Sequence, residues 1–169
     1  MEYSELIAKR YSVRAYKPDP VEPEKLQRIL ETARLAPTAC NNQPFRLIVI
    51  ETRGRQAGLK RIYKADWFAQ APLIICGCAV PSEGWVRRSD SKNHAEIDLA
   101  IVMDHLILAA ANEGLGTCWI AAFDPIAARE ALDLPDDLVP VIFTPLGYPA
   151  DPPRPKVRRD LAELVRYMQ

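Results

Sequence analysis

The apolar positions change period several times along the chain, and each change marks an element. Residues 2 to 9 suit a short helix, and Val13 to Tyr16 a short extended piece. The run "KPDPVEP" carries three prolines and must be a turn, because proline is excluded from helix interiors. A helix follows with Pro23 at its first position and Glu22 and Glu24 at its positive end. Leu26, Ile29, Leu30 and Ala33 give it one apolar face, and Pro37 ends it. Phe45 to Glu51 and Ala71 to Val80 are continuous apolar runs, read as buried strands, with a polar helix from Gly54 to Tyr63 between them. Pro81 to Ser91 is charged and reads as a loop.

Lys92 to Glu113 predicts the longest helix. Of the 15 residues from Ile97 to Ala111, 12 are apolar, so the helix must be covered on most sides. One thin domain is a poor cover for it, and a subunit interface is expected there. Gly114 and Gly116 stop the helix, Thr117 to Phe123 reads as extended, and Pro125 to Leu132 as a short helix. Leu138 to Pro149 is another apolar strand. Its Pro140 and Pro145 call for an edge or irregular position, or for residues outside the ladder. A proline-rich extended run then leads to a last helix from about Asp160. Strands and helices mix without regular alternation, which favours an α+β class in one domain spanning residues 1–169.

Composition changes this picture little. Apolar residues make up 49% of 169 and charged residues 26%, an ordinary globular balance. Lys plus Arg and Asp plus Glu are both 22, so nothing global draws nucleic acid or an anionic membrane, and neither is expected as a partner. "MEYSELIAKR" lacks an apolar signal core, and no segment is apolar enough to span a bilayer. The four cysteines fit no zinc spacing and are expected reduced, with the chain cytoplasmic. Cys76 and Cys78 share one face of a strand but are poorly placed to bond each other.

Three stretches can carry chemistry. Arg10 and Arg14 near the start, and Arg154, Lys156, Arg158 and Arg159 near the end, are six cations in short non-helical runs. They could converge on one polyanion, with Ser12 adding a hydroxyl, or be two solvated edges. "APTACNNQPFR", from Ala36 to Arg46, is rich in amides that can read a heterocycle's edge, or can serve turns and caps. "GLGTCWIAAFDP" sets small residues at Ala121 and Ala122, where a flat ring could approach the backbone, unless the segment is a plain buried strand. There is no GxSxG, no GxGxxG and no phosphate loop. His94 and His105 are too far apart to share a metal, and His94 with Asp98 reads as a helix-surface pair. Anion sites without a reactive side chain point to a cofactor as the reactive group.

Taken in order, these stretches resemble the nitroreductase family of FMN-dependent oxidoreductases. Arg10, Ser12 and Arg14 match its opening Arg-x-Ser-x-Arg/Lys. Pro37, Thr38, Asn41, Gln43, Pro44 and Phe45 match its Pro-Ser-x-x-Asn-x-Gln-Pro-aromatic motif, with Thr for Ser. Gly114 to Ile120 match its Gly-Leu-Gly-Thr-x-Trp-Ile, and Gly147-Tyr148-Pro149, Lys156 and Arg158 its closing segment. The agreement runs from residue 9 to about 160.

The resemblance implies a mostly antiparallel central sheet flanked by helices, in an intertwined homodimer with FMN at the interface. It implies that Arg10, Lys156 and Arg158 hold the FMN phosphate, and that Ser12 and Arg14 contact the ribityl chain and pyrimidine end. Pro37, Thr38 and Asn41 would come from the partner, and Gln43 of the same motif joins the cofactor-binding set. Backbone groups of Ala121 and Ala122 would face flavin N5, next to Ile120. Tyr11 joins the cofactor-binding set by position, although it and Val13 alternate toward the core. NADH or NADPH would supply hydride, Arg14 would support the reduced flavin, and nitroaromatics, quinones or flavins would be the small-molecule acceptors. A flavin-degrading or dehalogenating relative, or a non-catalytic flavin carrier, are the alternatives. The link "PSEGWVRRSDS" is shorter than in better-known members, where a helical insertion roofs the substrate pocket. That leaves a more open site, with Trp67 and Trp85 read first as packing residues.

Overall fold

A computed structural model describes residues 2–168. Helix α1 (Tyr3–Lys9) leads into an extended run, and α2 (Pro23–Arg34) follows with Pro23 at its first position. Strand β1 (Phe45–Glu51) matches the predicted run from end to end. Then come α3 (Gln56–Ile62), α4 (Asp66–Gln70) and β2 (Leu73–Ala79). The sequence pattern missed α4, whose five residues are too few to show a period. The supposed loop after β2 holds a 3₁₀ turn and a hairpin of β3 (Val86–Arg87) with β4 (Lys92–Asn93). Helix α5 therefore starts at Ala95, not Lys92, and ends at Asn112. Strand β5 (Gly116–Thr117), α6 (Pro125–Leu132), β6 (Val139–Gly147) and the single turn α7 (Leu161–Leu164) complete the chain.

The main sheet has the order β1-β2-β6-β5, with every strand pair antiparallel. Period-2 alternation sorts β2 between two cores. Ile75 and Ala79 face Leu99, Met103 and Leu106 of α5, with Ile29 and Ala33 of α2 behind them. Ile74, Cys76 and Cys78 face the opposite layer, where Leu59, Phe68, Ala128 and Phe143 pack. Burial on both faces is why these strands read as unbroken apolar runs.

Strand β6 lies inside the sheet between β2 and β5, so of the positions its prolines allowed, the edge is excluded and the irregular one is observed. Two irregularities make this possible. The β2–β6 register shifts between Gly77 and Cys78, where Pro140 pairs. On the other side, Ile120 and Phe143 exchange both backbone bonds, so the next bonded position would need an N–H from Pro145. The ladder skips it, and the Cys118 N–H donates instead to Thr144 Oγ1 at 3.1 Å. The predicted strand from Thr117 to Phe123 shrinks for the same reason to Gly116–Thr117 and one bridge at Ile120.

Helix α5 is better covered by its own chain than expected: eight of its residues, including Leu99, Val102, Met103 and Leu106, are buried. Ile97 and Ile101 stay exposed, one turn apart on the remaining face. The helix ends in a Schellman motif, with the Leu115 N–H bonded to Ala110 O and the Gly114 N–H to Ala111 O. Gly114 takes the required left-handed φ of 78°. That stop aims Leu115 to Thr117 back along the sheet. Among the described residues no helix is long and apolar enough to cross a membrane.

Candidate functional site

The segment after α1 is zipped into the fold from both sides. Ser12 bridges Thr117 in parallel, and the Val13 N–H donates to Thr117 O at 2.9 Å. Farther on, Tyr16 bridges Pro149, and the Lys17 and Ala150 N–H groups donate to Tyr148 O and Ala15 O. Val13 and Tyr16 are both buried, while Arg10 and Ser12 are half-buried and Arg14 is exposed. The Tyr11 hydroxyl donates to Asp151 O, and the Arg14 N–H to Asp151 Oδ2 at 3.0 Å. Asp151 thereby fixes the chain's start to its closing run. Gly116 permits the close pairing: a Cβ there would meet Val13 Cγ2 at 2.5 Å.

Lys156 returns from the closing run to cap α1, donating to Ile7 O at 2.8 Å and to Ala8 O. Local desolvation, and then the nearby charges of Arg10 and Arg158, push its ammonium below the usual lysine range. Arg10, Lys156 and Arg158 thus lie near one another at the C-terminal end of α1, where Arg10 lines a cavity with Gly114 to Gly116 at the end of α5. Burial raises the thiol of Cys118, and Arg14, the Ser12 hydroxyl and Arg10 oppose that rise. The same basic segment therefore runs past the β5 edge. Beyond the Ile120 bridge the chain leaves the sheet, and Ala121 and Ala122 are exposed, as is Trp119. Ile120 itself is buried.

The amide-rich loop lies elsewhere. Its Ala39 N–H donates to Asp98 Oδ1 at 3.0 Å, in the first turns of α5, and Asn42 Nδ2 donates to Glu83 O at 3.1 Å. Cys40, Asn41 and Gln43 all hold positive φ, between 53° and 57°. Each such non-glycine residue costs about 1–3 kcal/mol. The Gln43 N–H to Thr38 Oγ1 bond, and Gln43 Nε2 to Asn41 O, help hold the loop. Pro37, Asn41 and Gln43 are exposed and Thr38 is half-buried. This strain exceeds ordinary turn chemistry, and no sequence pattern announced it, because none of the three is glycine.

Asp98 corrects a second expectation. It is 3% exposed, not a surface partner of His94. His94 instead stacks edge-on against Trp85 at 5.0 Å, and Trp67 packs the same way on Tyr63. Cys76 and Cys78 are buried free thiols, yet their sulfurs lie 3.6 Å apart where the register shifts. Tyr148 donates to Glu22 Oε1 at 2.8 Å and accepts from Lys25 at 2.6 Å, which ties β6 to the start of α2.

One chain therefore holds the predicted site residues in two groups. The cations belong to one group and Pro37, Thr38, Asn41 and Gln43 to the other, while Ala122 lines a cavity with Tyr63, Lys64 and Asp124. Helix α5 separates the loop from the cation cluster: with 18 residues it is about 27 Å long at 1.5 Å per residue.

The nitroreductase family model matches residues 7–67 and 55–148. A nitroreductase family protein of known crystal structure from Clostridium difficile 630 superposes with a TM-score of 0.90 at 40% identity, covering 100% of this chain and 99% of its own. NADH dehydrogenase of Thermus thermophilus is 29% identical over 191 residues, covering 93% of this chain and 91% of its own length. An FMN reductase acting with NAD(P)H, from Bacillus subtilis, is 27% identical over 156 residues, covering 83% of this chain and 63% of its own length.

Proposed function

The chain belongs to the nitroreductase family, and on that footing we propose that it is an NAD(P)H-dependent FMN oxidoreductase with its flavin held between two copies of the chain. The observation that carries this reading is the cluster of Arg10, Lys156 and Arg158, three cations crowded together among the described residues without a carboxylate partner. Such a cluster suits a phosphate dianion, which guanidinium forks bind bidentately. The rest of the donor set fits FMN. Ser12 and Arg14 follow the cations in extended register, within reach of a polyol chain and a pyrimidine edge. Ala121 and Ala122 leave backbone exposed without a bulky side chain.

Two features support a homodimer. Ile97 and Ile101 form an exposed apolar stripe on α5. Residues 152–168 are all exposed although they carry Val157, Leu161, Leu164, Val165, Tyr167 and Met168. Apolar surface of this extent calls for a partner. An antiparallel pairing across α5 would bring each amide loop beside the other chain's cations and give Asn41 and Gln43 a flavin to contact.

When bound, FMN would supply the redox chemistry, hydride transfer from NADH or NADPH to an acceptor such as a nitroaromatic, quinone or flavin. The chain's residues bind and polarise. Arg10, Lys156 and Arg158 neutralise the phosphate. Arg14, exposed and held at its backbone by Asp151, places positive charge beside the pyrimidine end, where charge accumulates on reduction; one aimed donor of this kind is worth ~3 kcal/mol. No side-chain acid–base pair is needed, since protons can come from water at an open site.

The test is anaerobic addition of NADH or NADPH to protein reconstituted with FMN. Loss of the flavin's visible absorbance, and its return on adding a quinone or nitroaromatic, is expected. Bound flavin that neither nicotinamide reduces would favour a carrier role instead.

A further inference from the structure

Asp98 is a carboxylate buried to 3% exposure, and its Oδ2 has no hydrogen-bond partner among the described residues. A buried acid with an open oxygen is costly, and the positive end of the α5 dipole offsets only part of that cost. Its one hydrogen bond runs from the Ala39 N–H to Oδ1 at 3.0 Å. Ala39 opens the turn in which Cys40, Asn41 and Gln43 are all held at positive φ. Backbone bonds from Asn41 to Thr38 O and from Asn42 to Ala39 O close the turn, and the loop's other side-chain bonds, from Asn42 to Glu83 and from Gln43 to Thr38 and Asn41, are solvent-exposed. Only the Asp98 bond is both charged and shielded, and charge-assisted bonds of that kind are the strong ones.

From this placement we infer that Asp98 is a positioning residue, a latch from the start of α5 that holds the 38–43 loop in the strained shape presenting Asn41 and Gln43 to the flavin of the partner chain. The inference rests on the proposed shared flavin site. Asp98 touches no cofactor itself; it acts through the backbone of Ala39. The strain explains why a latch is required: without it Cys40, Asn41 and Gln43 would relax toward ordinary backbone angles and carry their side chains away.

The experiment joins hydrogen exchange by NMR to FMN titration, on the full-length chain. Without flavin, the wild-type Ala39 amide should exchange slowly despite its place in an exposed loop. In Asp98→Ala, residues 38–43 should exchange faster, and FMN affinity should fall roughly tenfold, as loss of one strong bond implies. Asp98→Asn keeps an oxygen acceptor but not the charge, and should recover part of both. In a double-mutant cycle with Asn41→Ala, the two losses of affinity should fall well short of adding, because both act through one loop. Fast exchange of Ala39 in the wild type overturns the latch with no variant needed. Full additivity with Asn41→Ala overturns it as well, as does an Asp98→Ala protein with wild-type loop exchange. A wild type that binds no FMN counts against the proposed function instead, and the flavin-free exchange still decides whether Asp98 holds the loop.

Discussion

Arg10 and Lys156 lie 146 positions apart in sequence and meet at the end of α1. Residue spacing alone had left their runs open between a shared anion site and two solvated edges. The alternation of Arg10, Ser12 and Arg14 against Tyr11 and Val13 was legible, because an extended segment has a period of two and Val13 had to be buried. Asp98 was not legible. At i+4 from His94 it looks like half of a helix-surface pair, and only the tertiary approach of Ala39 reveals its partner. The strained backbone at Cys40, Asn41 and Gln43 was equally hidden. At this scale Arg10→Ala should weaken FMN binding by ~1.5–3 kcal/mol, the value of a charge-assisted bond. Fluorescence titration reads it, and unchanged affinity would make Arg10 a plain surface charge.

Strands buried on both faces were the easiest elements to read, and β1 needed no adjustment. The difficulties came where short-range rules met tertiary repair. Prolines normally keep a strand at the edge, yet β6 sits inside the sheet because one irregularity falls at Pro140, and at Pro145, which has no N–H to give, the ladder is interrupted and the Cys118 N–H is accepted by the Thr144 hydroxyl. The β3–β4 hairpin was invisible because its strands are two residues each. Closeness between α5 and the sheet depends on Gly77, where an added Cβ would lie 2.9 Å from Ile142 Cγ2 and 3.1 Å from both Leu99 Cδ1 and Met103 Sδ. Gly77→Ala should therefore destabilise the chain by about 1–3 kcal/mol through overpacking. Thermal or denaturant unfolding measures this, and an unchanged midpoint would mean that the helix moves aside at no cost.

The whole molecule is a three-layer unit whose proposed site is divided between the two ends of its longest helix. The apolar excess of α5 was visible in the sequence and read as an interface. Much of it instead serves the chain's own core, leaving Ile97 and Ile101 as the exposed remainder. Ile101→Glu should therefore leave the fold intact but yield a monomer by light scattering, with FMN retention lost. A flavin-loaded monomer would separate the site from the interface.

The shared site itself is tested most directly by mixing defects. Arg10→Ala impairs the cation half and Asn41→Ala the loop half, so each homodimer carries two damaged sites. In a heterodimer of one chain of each, a site built from both chains concentrates both defects in one site and leaves the other intact. The predicted result is one FMN per dimer bound with wild-type affinity. No recovery of tight binding in that heterodimer would contradict the account.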